Sequence, residues 1–206
     1  MKTSYIINTA CLDPLADGGN PHRSAKYRER HTLLTQRVLP AALEQGFDEI
    51  IVAGSFESGA GYRYIRVDPR CRDRRDALYQ REAGARHATG DILVFGHDDH
   101  RLADNFCATL HTCGVDGWDL LVPKRIHGIT GATLNNGFED APGGQSYMGG
   151  HVLVMKRWLW AEVPWTACDT EFWDTSMTRL WQEAGAKIVF STDLIHMDVE
   201  AGPNES

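Results

Sequence analysis

The apolar run Asp91–Phe95 (DILVF) passes without a break into Gly96-His97-Asp98-Asp99-His100. Gly90 in front and polar residues behind mark it as a short core strand. That strand ends on two adjacent carboxylates flanked by imidazoles. Oxygen ligands suit hard divalent cations, and Mn2+ also accepts imidazole nitrogen. The same string reads equally well as an ordinary solvated turn.

Alternating strands and helices surround it. Ser4–Asn8 predicts a first strand, followed by a polar Gly/Pro loop at Cys11–Arg23. Leu33, Leu34, Val38, Leu39 and Ala42 recur at helical spacing within Ser24–Gln45, with Pro40 as a kink and Gly46 as a stop. Strands follow at Asp48–Ser55 and Tyr62–Asp68, then a helix at Arg74–Thr89. Beyond the acidic string come helices at Ala103–Cys113 and Thr170–Ala184, and strands at Asp119–Pro123, His151–Met155 and Lys187–Ser191. Between Gly128 and Gly150 lie seven glycines and no periodicity, which predicts a functional loop, either a lid or an acceptor loop. This order predicts an α/β fold with a central, mostly parallel sheet flanked by helices. Ligands of such sheets collect at the carboxyl ends of the strands, where His97–Asp99 falls.

The 206 residues fit one domain. No stretch approaches the roughly 18 apolar residues of a membrane span, and the N-terminus lacks the h-region of a signal peptide. Five cysteines without a CxxC predict reduced thiols in a cytoplasmic protein. A net charge of −7 argues against coating nucleic acid by bulk electrostatics. The charge is uneven: residues 1–90 hold 14 Lys+Arg against 11 Asp+Glu, and residues 91–206 hold 7 against 17. A basic first half and an acidic second half suit a site that holds an anion and a metal between them.

The stretch from Arg81 to Asp99, REAGARHATGDILVFGHDD, resembles the central block of GT-A-fold glycosyltransferases of the family-2 group. There the pattern runs R-N-x-G-x-x-x-A-x-G-D, a hydrophobic strand, then D-D-D. Arg81, Gly84, Ala88, Gly90 and Asp91 fall on matching positions; Glu82 replaces the usual Asn and His97 the first Asp. Gly149-Gly150 resembles the family's glycine-rich loop. Trp173-Asp174 followed by TSMTRLWQEAG resembles its x-E-D helix, with Trp173 in place of Glu. His196 in LIHMD matches the C-terminal His that completes the metal site in many members.

The resemblance implies a single GT-A (Rossmann-like) domain, with a nucleotide-binding part over residues 1–100, an acceptor-binding part over 101–198 and a flexible tail at 199–206. It further implies a divalent cation, Mn2+ or Mg2+, held by Asp99 and His196, bridging the diphosphate of a nucleotide sugar, most commonly a UDP-sugar. Asn8, Thr9, Ala10, Ser55, Arg81, His97, Asp98, Gly149 and Gly150 form the implied donor-binding set. Arg63, Arg66, Arg70, Arg72, Arg74 and Arg75 are further candidates for phosphate oxygens. Asp174 falls on the position of the general base, with Asp169 and Glu171 as competitors; acids in a first helical turn also stabilise a helix without catalysis. A base at Asp174 implies inversion at the anomeric carbon. Trp165 and Trp173 read as core residues or as stacking platforms. Small stand-alone GT-A domains resemble phage enzymes that decorate hydroxymethylated DNA bases, so modified DNA joins glycans and small molecules as an acceptor. Two other readings compete: a nucleotidyltransferase, with Gly18-Gly19 and Arg23 loosely spaced for its signature, and a non-catalytic nucleotide-sugar-binding module.

Overall fold

The computed structural model describes residues 1–9, 28–54, 61–67, 76–134, 137–141, 145–149, 151–168, 170 and 173–199. Strands β1 (Thr3–Asn8), β2 (Glu49–Gly54), β3 (Arg63–Arg66) and β4 (Ile92–His97) run parallel in the order β3-β2-β1-β4. Side chains of β1 alternate between two cores: Tyr5 and Ile7 enter one, Ile6 the other. This two-residue period puts apolar groups on both faces, and parallel strands need both faces covered.

One cover is helix α1, residues 28–43, with helix α3 (Phe106–Thr112), contributing Leu34, Val38, Phe106 and Leu110. The other comprises α2 (Asp76–His87), α4 (Arg157–Glu162) and α5 (Trp173–Glu183), contributing Leu78, Ala85, Leu159, Met177 and Trp181. The expected kink at Pro40 takes the form of a π-wound turn over Leu34–Val38 just ahead of it. Proline has no N–H to return to the preceding turn and its ring crowds the carbonyl there, so a wider turn relieves both problems.

The second half of the sheet is mixed. β10 (Leu153–Lys156) runs antiparallel to β4 and to β6 (Leu120–His127); β11 (Ile188–Asp198) runs parallel to β6, and β5 (His100–Leu102) closes the edge antiparallel to β11. β6 and β11 extend well past their expected bounds into Lys124–His127 and Thr192–Asp198, the ends that carry Arg125, His196 and Asp198 to the site. β5, three residues long, is too short to show any period in the sequence. The interval Gly128–Gly150, expected as an irregular loop, instead carries β7 (Thr133–Leu134) on the edge of β6 and a hairpin of β8 (Gly137–Ala141) and β9 (Gln145–Met148). Backbone pairing builds this hairpin without the alternating side chains that would have announced it.

Asp98 and Asp99 alone connect β4 to β5, although β10, β6 and β11 lie between those strands in the sheet. β10 pairs with β4 only from Phe95 back to Ile92, so Gly96 and His97 project beyond it. Into this opening come the ends of β5, β6 and β11.

Close approach also explains Gly90. A Cβ there would lie 2.7 Å from the Ser4 nitrogen and 2.9 Å from the Lys2 carbonyl oxygen. Both neighbours are backbone and cannot swing away. Gly90→Ala is expected to destabilise the protein by about 1–3 kcal/mol, the range for overpacking, as measured by urea denaturation; an unchanged midpoint would mean that β1 and β4 tolerate displacement.

Candidate active site

Four histidines gather at the carboxyl end of β4. The His100 ring lies 5.8 Å from that of His97, 4.9 Å from His151 and 5.3 Å from His196, centroid to centroid. Strand register brings three of the surrounding groups together. His100 and Asp198 are direct cross-strand partners on β5 and β11, and His196, two residues before Asp198, shares its face. Arg125 is the register partner of His196 on β6 and forms a bidentate pair with Asp198, Nε to Oδ1 at 2.7 Å and Nη2 to Oδ2 at 2.6 Å. Arg125 also reaches His151 Nε2 at 2.8 Å.

The four rings are shifted in opposite directions. His100 donates from Nδ1 to Asp99 Oδ1 at 2.8 Å, and its Nε2 lies 3.1 Å from Asp198 Oδ1, in range to pair charges but off the line of a good hydrogen bond. Burial works against its protonation, but these two carboxylates outweigh it and raise its pKa. Burial, with the charges of His100 and Arg125, pushes His151 down to about 3. Burial first, then neighbouring cations, holds His97 and His196 well below the usual histidine value. His100 is thus the one ring of the four shifted toward its charged form.

His196 is wholly buried, and among the described residues neither of its ring nitrogens has a hydrogen-bond partner. An orphaned buried polar group costs about 1–3 kcal/mol, so these nitrogens are suited to a ligand. Among the described residues, two groups offer three ligand atoms within 4.8 Å of one another: His100-His196-Asp198 and His97-Asp98-Asp99. Imidazole and carboxylate together suit Mn2+ and similar ions, so the residues present fit a divalent cation. Ligation would require His100 to release the proton that its two carboxylates favour.

The acidic turn joins the two groups. Asp99 touches His100, and its carbonyl accepts from the Val199 amide at 2.8 Å. Asp99 and His196, separated by 97 positions in the chain, therefore both open onto His100. Burial alone would raise the Asp99 pKa, but the His100 hydrogen bond and the charges of His100 and Arg30 hold its carboxyl far below the usual carboxylate range.

Arg81, on α2, is the platform beneath His97. It is fully buried, donates from Nε to Asn8 Oδ1 at 3.0 Å, and directs Nη2 to His97 Nε2 at 3.0 Å and to the His151 carbonyl at 3.1 Å. Asn8 Nδ2 lies 2.8 Å from the other side of the same ring, at His97 Nδ1. The guanidinium carbon stands 4.8 Å from the Trp165 ring and 5.0 Å from that of Trp173. Burial pushes Arg81 down to about 9, still charged at neutral pH. Trp165 and Trp173 are core residues: Trp165 meets Phe95, Trp173 and Trp181 edge to face at 5.0–5.9 Å. Glu82, in place of the usual Asn, accepts from Trp160 Nε1 at 3.0 Å and from the Trp165 amide at 3.2 Å, which fixes the segment carrying that tryptophan.

Of the expected donor-binding residues, Asn8, Arg81, His97 and Asp98 meet around this cluster. Thr9 follows Asn8 with its hydroxyl buried and without a partner among the described residues. Gly149 follows Met148, whose amide donates to Thr178 Oγ1 at 3.3 Å; that hydroxyl donates in turn to the Asp174 carbonyl at 2.7 Å. The glycine segment and the first turn of α5 are thereby tied together. The Asp174 carboxylate accepts from the Thr175 amide at 2.8 Å and is partly exposed. Ala10, Ser55, Gly150, Asp169, Glu171, Arg70, Arg72, Arg74 and Arg75 lie outside the described residues. Arg63 donates to the His87 carbonyl at 3.1 Å, away from the cluster. Arg30, Arg125, His151 and Asp198 were not singled out in the sequence; of these, only Asp198 had a readable signal, its two-residue spacing from His196.

No family model matches the chain, and no curated protein sequence matches it. Solved structures do. S. aureus TarS, residues 1–349, superposes with a TM-score of 0.64 at 14% identity over 97% of this chain and 60% of that one. The same segment in complex with UDP-GlcNAc gives 0.65 at 12% identity, covering 100% of this chain and 60% of that one. GalNAc-T7 with UDP, GalNAc and Mn2+ gives 0.64 at 14% identity, covering 98% of this chain and 44% of that one. The fold is GT-A. The chain spans about 60% of the TarS segment that it matches. Among the described residues, no helix is long and apolar enough to cross a membrane.

Proposed function

We propose that the protein is a glycosyltransferase that moves a sugar from a nucleotide sugar, a UDP-sugar, to an acceptor hydroxyl with the help of a divalent cation. The observation that carries this reading is the buried imidazole of His196, without a hydrogen-bond partner among the described residues, beside His100, Asp198 and Asp99 at the strand ends where this fold takes ligands. TarS has been solved with UDP-GlcNAc, and GalNAc-T7 with UDP, GalNAc and Mn2+, which supports UDP as the leaving group.

His100, His196 and Asp198, with Asp99, would hold the cation. When bound, the ion supplies positive charge for the leaving diphosphate. The chain's own residues do the rest. Arg125 holds Asp198 through a two-point fork, and Arg81 and Asn8 fix the His97 ring, so the first contacts of the donor are built before it arrives. Asp174 takes the proton of the acceptor hydroxyl as that oxygen bonds to the anomeric carbon. The bond from that carbon to the β-phosphate oxygen breaks, its electron pair leaves with UDP, and the anomeric centre inverts. The acceptor is a glycan or a small molecule. A hydroxymethylated DNA base finds no support in the TarS and GalNAc-T7 likenesses, and the acidic second half of the chain repels a polyanion.

With Mn2+ present, UDP release from UDP-GlcNAc, UDP-glucose and UDP-GalNAc should identify the donor. Asp174→Asn should lower that release by about 10²–10⁴-fold, the usual contribution of a general base, while UDP binding stays at the wild-type level. Retained turnover would move the base to Asp169 or Glu171.

A further inference from the structure

Arg30 reaches from α1 to the turn between β4 and β5. Its Nη1 atom donates to Asp98 Oδ1 at 3.1 Å and also contacts Asp99 Oδ2. Asp98 is 1% exposed, while the Arg30 and Asp99 side chains are 22% and 24% exposed. A single guanidinium nitrogen thus touches both carboxylates of the His97-Asp98-Asp99 group. Adjacent carboxylates withdrawn from water repel one another, and such a pair stays ionised only with a cation against it. The half-exposed guanidinium supplies that cation from within the chain.

We propose that Arg30 is a resident counter-cation that competes with a divalent ion for Asp98 and Asp99 and so sets the affinity of the cation site. This rests on the cation-binding part of the function proposed above and not on sugar transfer itself. A metal ion bound to the Asp99 oxygen that now faces Arg30 would occupy the place of the guanidinium nitrogen. The two cations would also repel one another. Asp198 has its own resident cation, Arg125, rather than Arg30. The nitrogens of His196 are the part of the site open to metal, while the Asp98–Asp99 part must first be vacated by Arg30.

Mn2+ titration of the whole chain without nucleotide, followed by the electron paramagnetic resonance signal of the free ion, tests the proposal. Arg30→Gln removes the charge and is expected to bind Mn2+ about tenfold more tightly than the wild type, the effect of deleting one like charge a few ångströms away. Arg30→Lys keeps the charge but on a shorter, more strongly hydrated side chain, and its Mn2+ affinity should fall between the two. Saturating Mn2+ should also raise the melting temperature of Arg30→Gln more than that of the wild type, because the ion takes over the lost pairing. Equal or weaker Mn2+ binding by both variants would overturn the proposal, as would a wild type and variants that bind no Mn2+. Should Arg30→Gln lack a cooperative melt, the lysine variant alone decides. Tighter Mn2+ binding by the variants, with no binding of UDP by any form, would leave the role of Arg30 standing and remove the transferase reading.

Discussion

Loss of divalent-cation binding is the expected result of His196→Ala. Both ring nitrogens of His196 are buried without a partner among the described residues, so the native side chain carries a desolvation cost that a ligand would offset. Truncation removes that cost and also removes the packing of a buried ring, and the two changes oppose each other. The metal-free variant should therefore stay within about 1–2 kcal/mol of the wild type in denaturant melts. Mn2+ affinity should fall by at least about tenfold, and UDP release by about 10²-fold or more, the scale of losing a principal electrostatic contact at a leaving group. A strongly destabilised variant with unchanged Mn2+ affinity would make His196 a core residue.

Arg81→Met is expected to have the largest effect on the fold. The methionine fills part of the space under Trp165 and Trp173, but Asn8 Oδ1, His97 Nε2 and the His151 carbonyl each lose a donor. Unsatisfied buried acceptors cost about 1–3 kcal/mol apiece, and the cation–π contacts with the two tryptophans are lost as well. The total should reach about 3–5 kcal/mol, lowering the melting temperature by roughly 10 °C for a domain of this size. Arg81→Lys should recover little of this, since one ammonium cannot span three acceptors spread around a planar fork. A near-wild-type melt for the methionine variant would show that these acceptors find other donors.

The parallel half of the sheet was legible because its strands are short apolar runs set between glycines and helical patterns. β1, β2 and β4 fall within a residue or two of their expected bounds at the described positions. The antiparallel half was less legible, for physical reasons. The ends of β6 and β11 mix apolar residues with the polar ones that face the site, so a continuous apolar run stops short of them. β5 and the β8–β9 hairpin are held by backbone pairing, which leaves little trace in side-chain order. Asp99 and His196 were singled out through motifs that resemble those of family-2 glycosyltransferases, and the fold brings both against His100. Arg30 and Arg125 were hidden for the opposite reason: a lone arginine on a helix or strand looks the same in sequence whether it faces water or a buried carboxylate.

Most directly at stake is whether the acidic turn and the tail histidine serve one cation that in turn holds a diphosphate. Thermal shift of the intact chain by UDP, with and without Mn2+, measures this for the wild type, Asp99→Asn and His196→Ala. Stabilisation of the wild type by UDP that requires Mn2+, and that is lost in both variants, is the predicted result. UDP binding that ignores Mn2+, or that survives either substitution at wild-type strength, would contradict it.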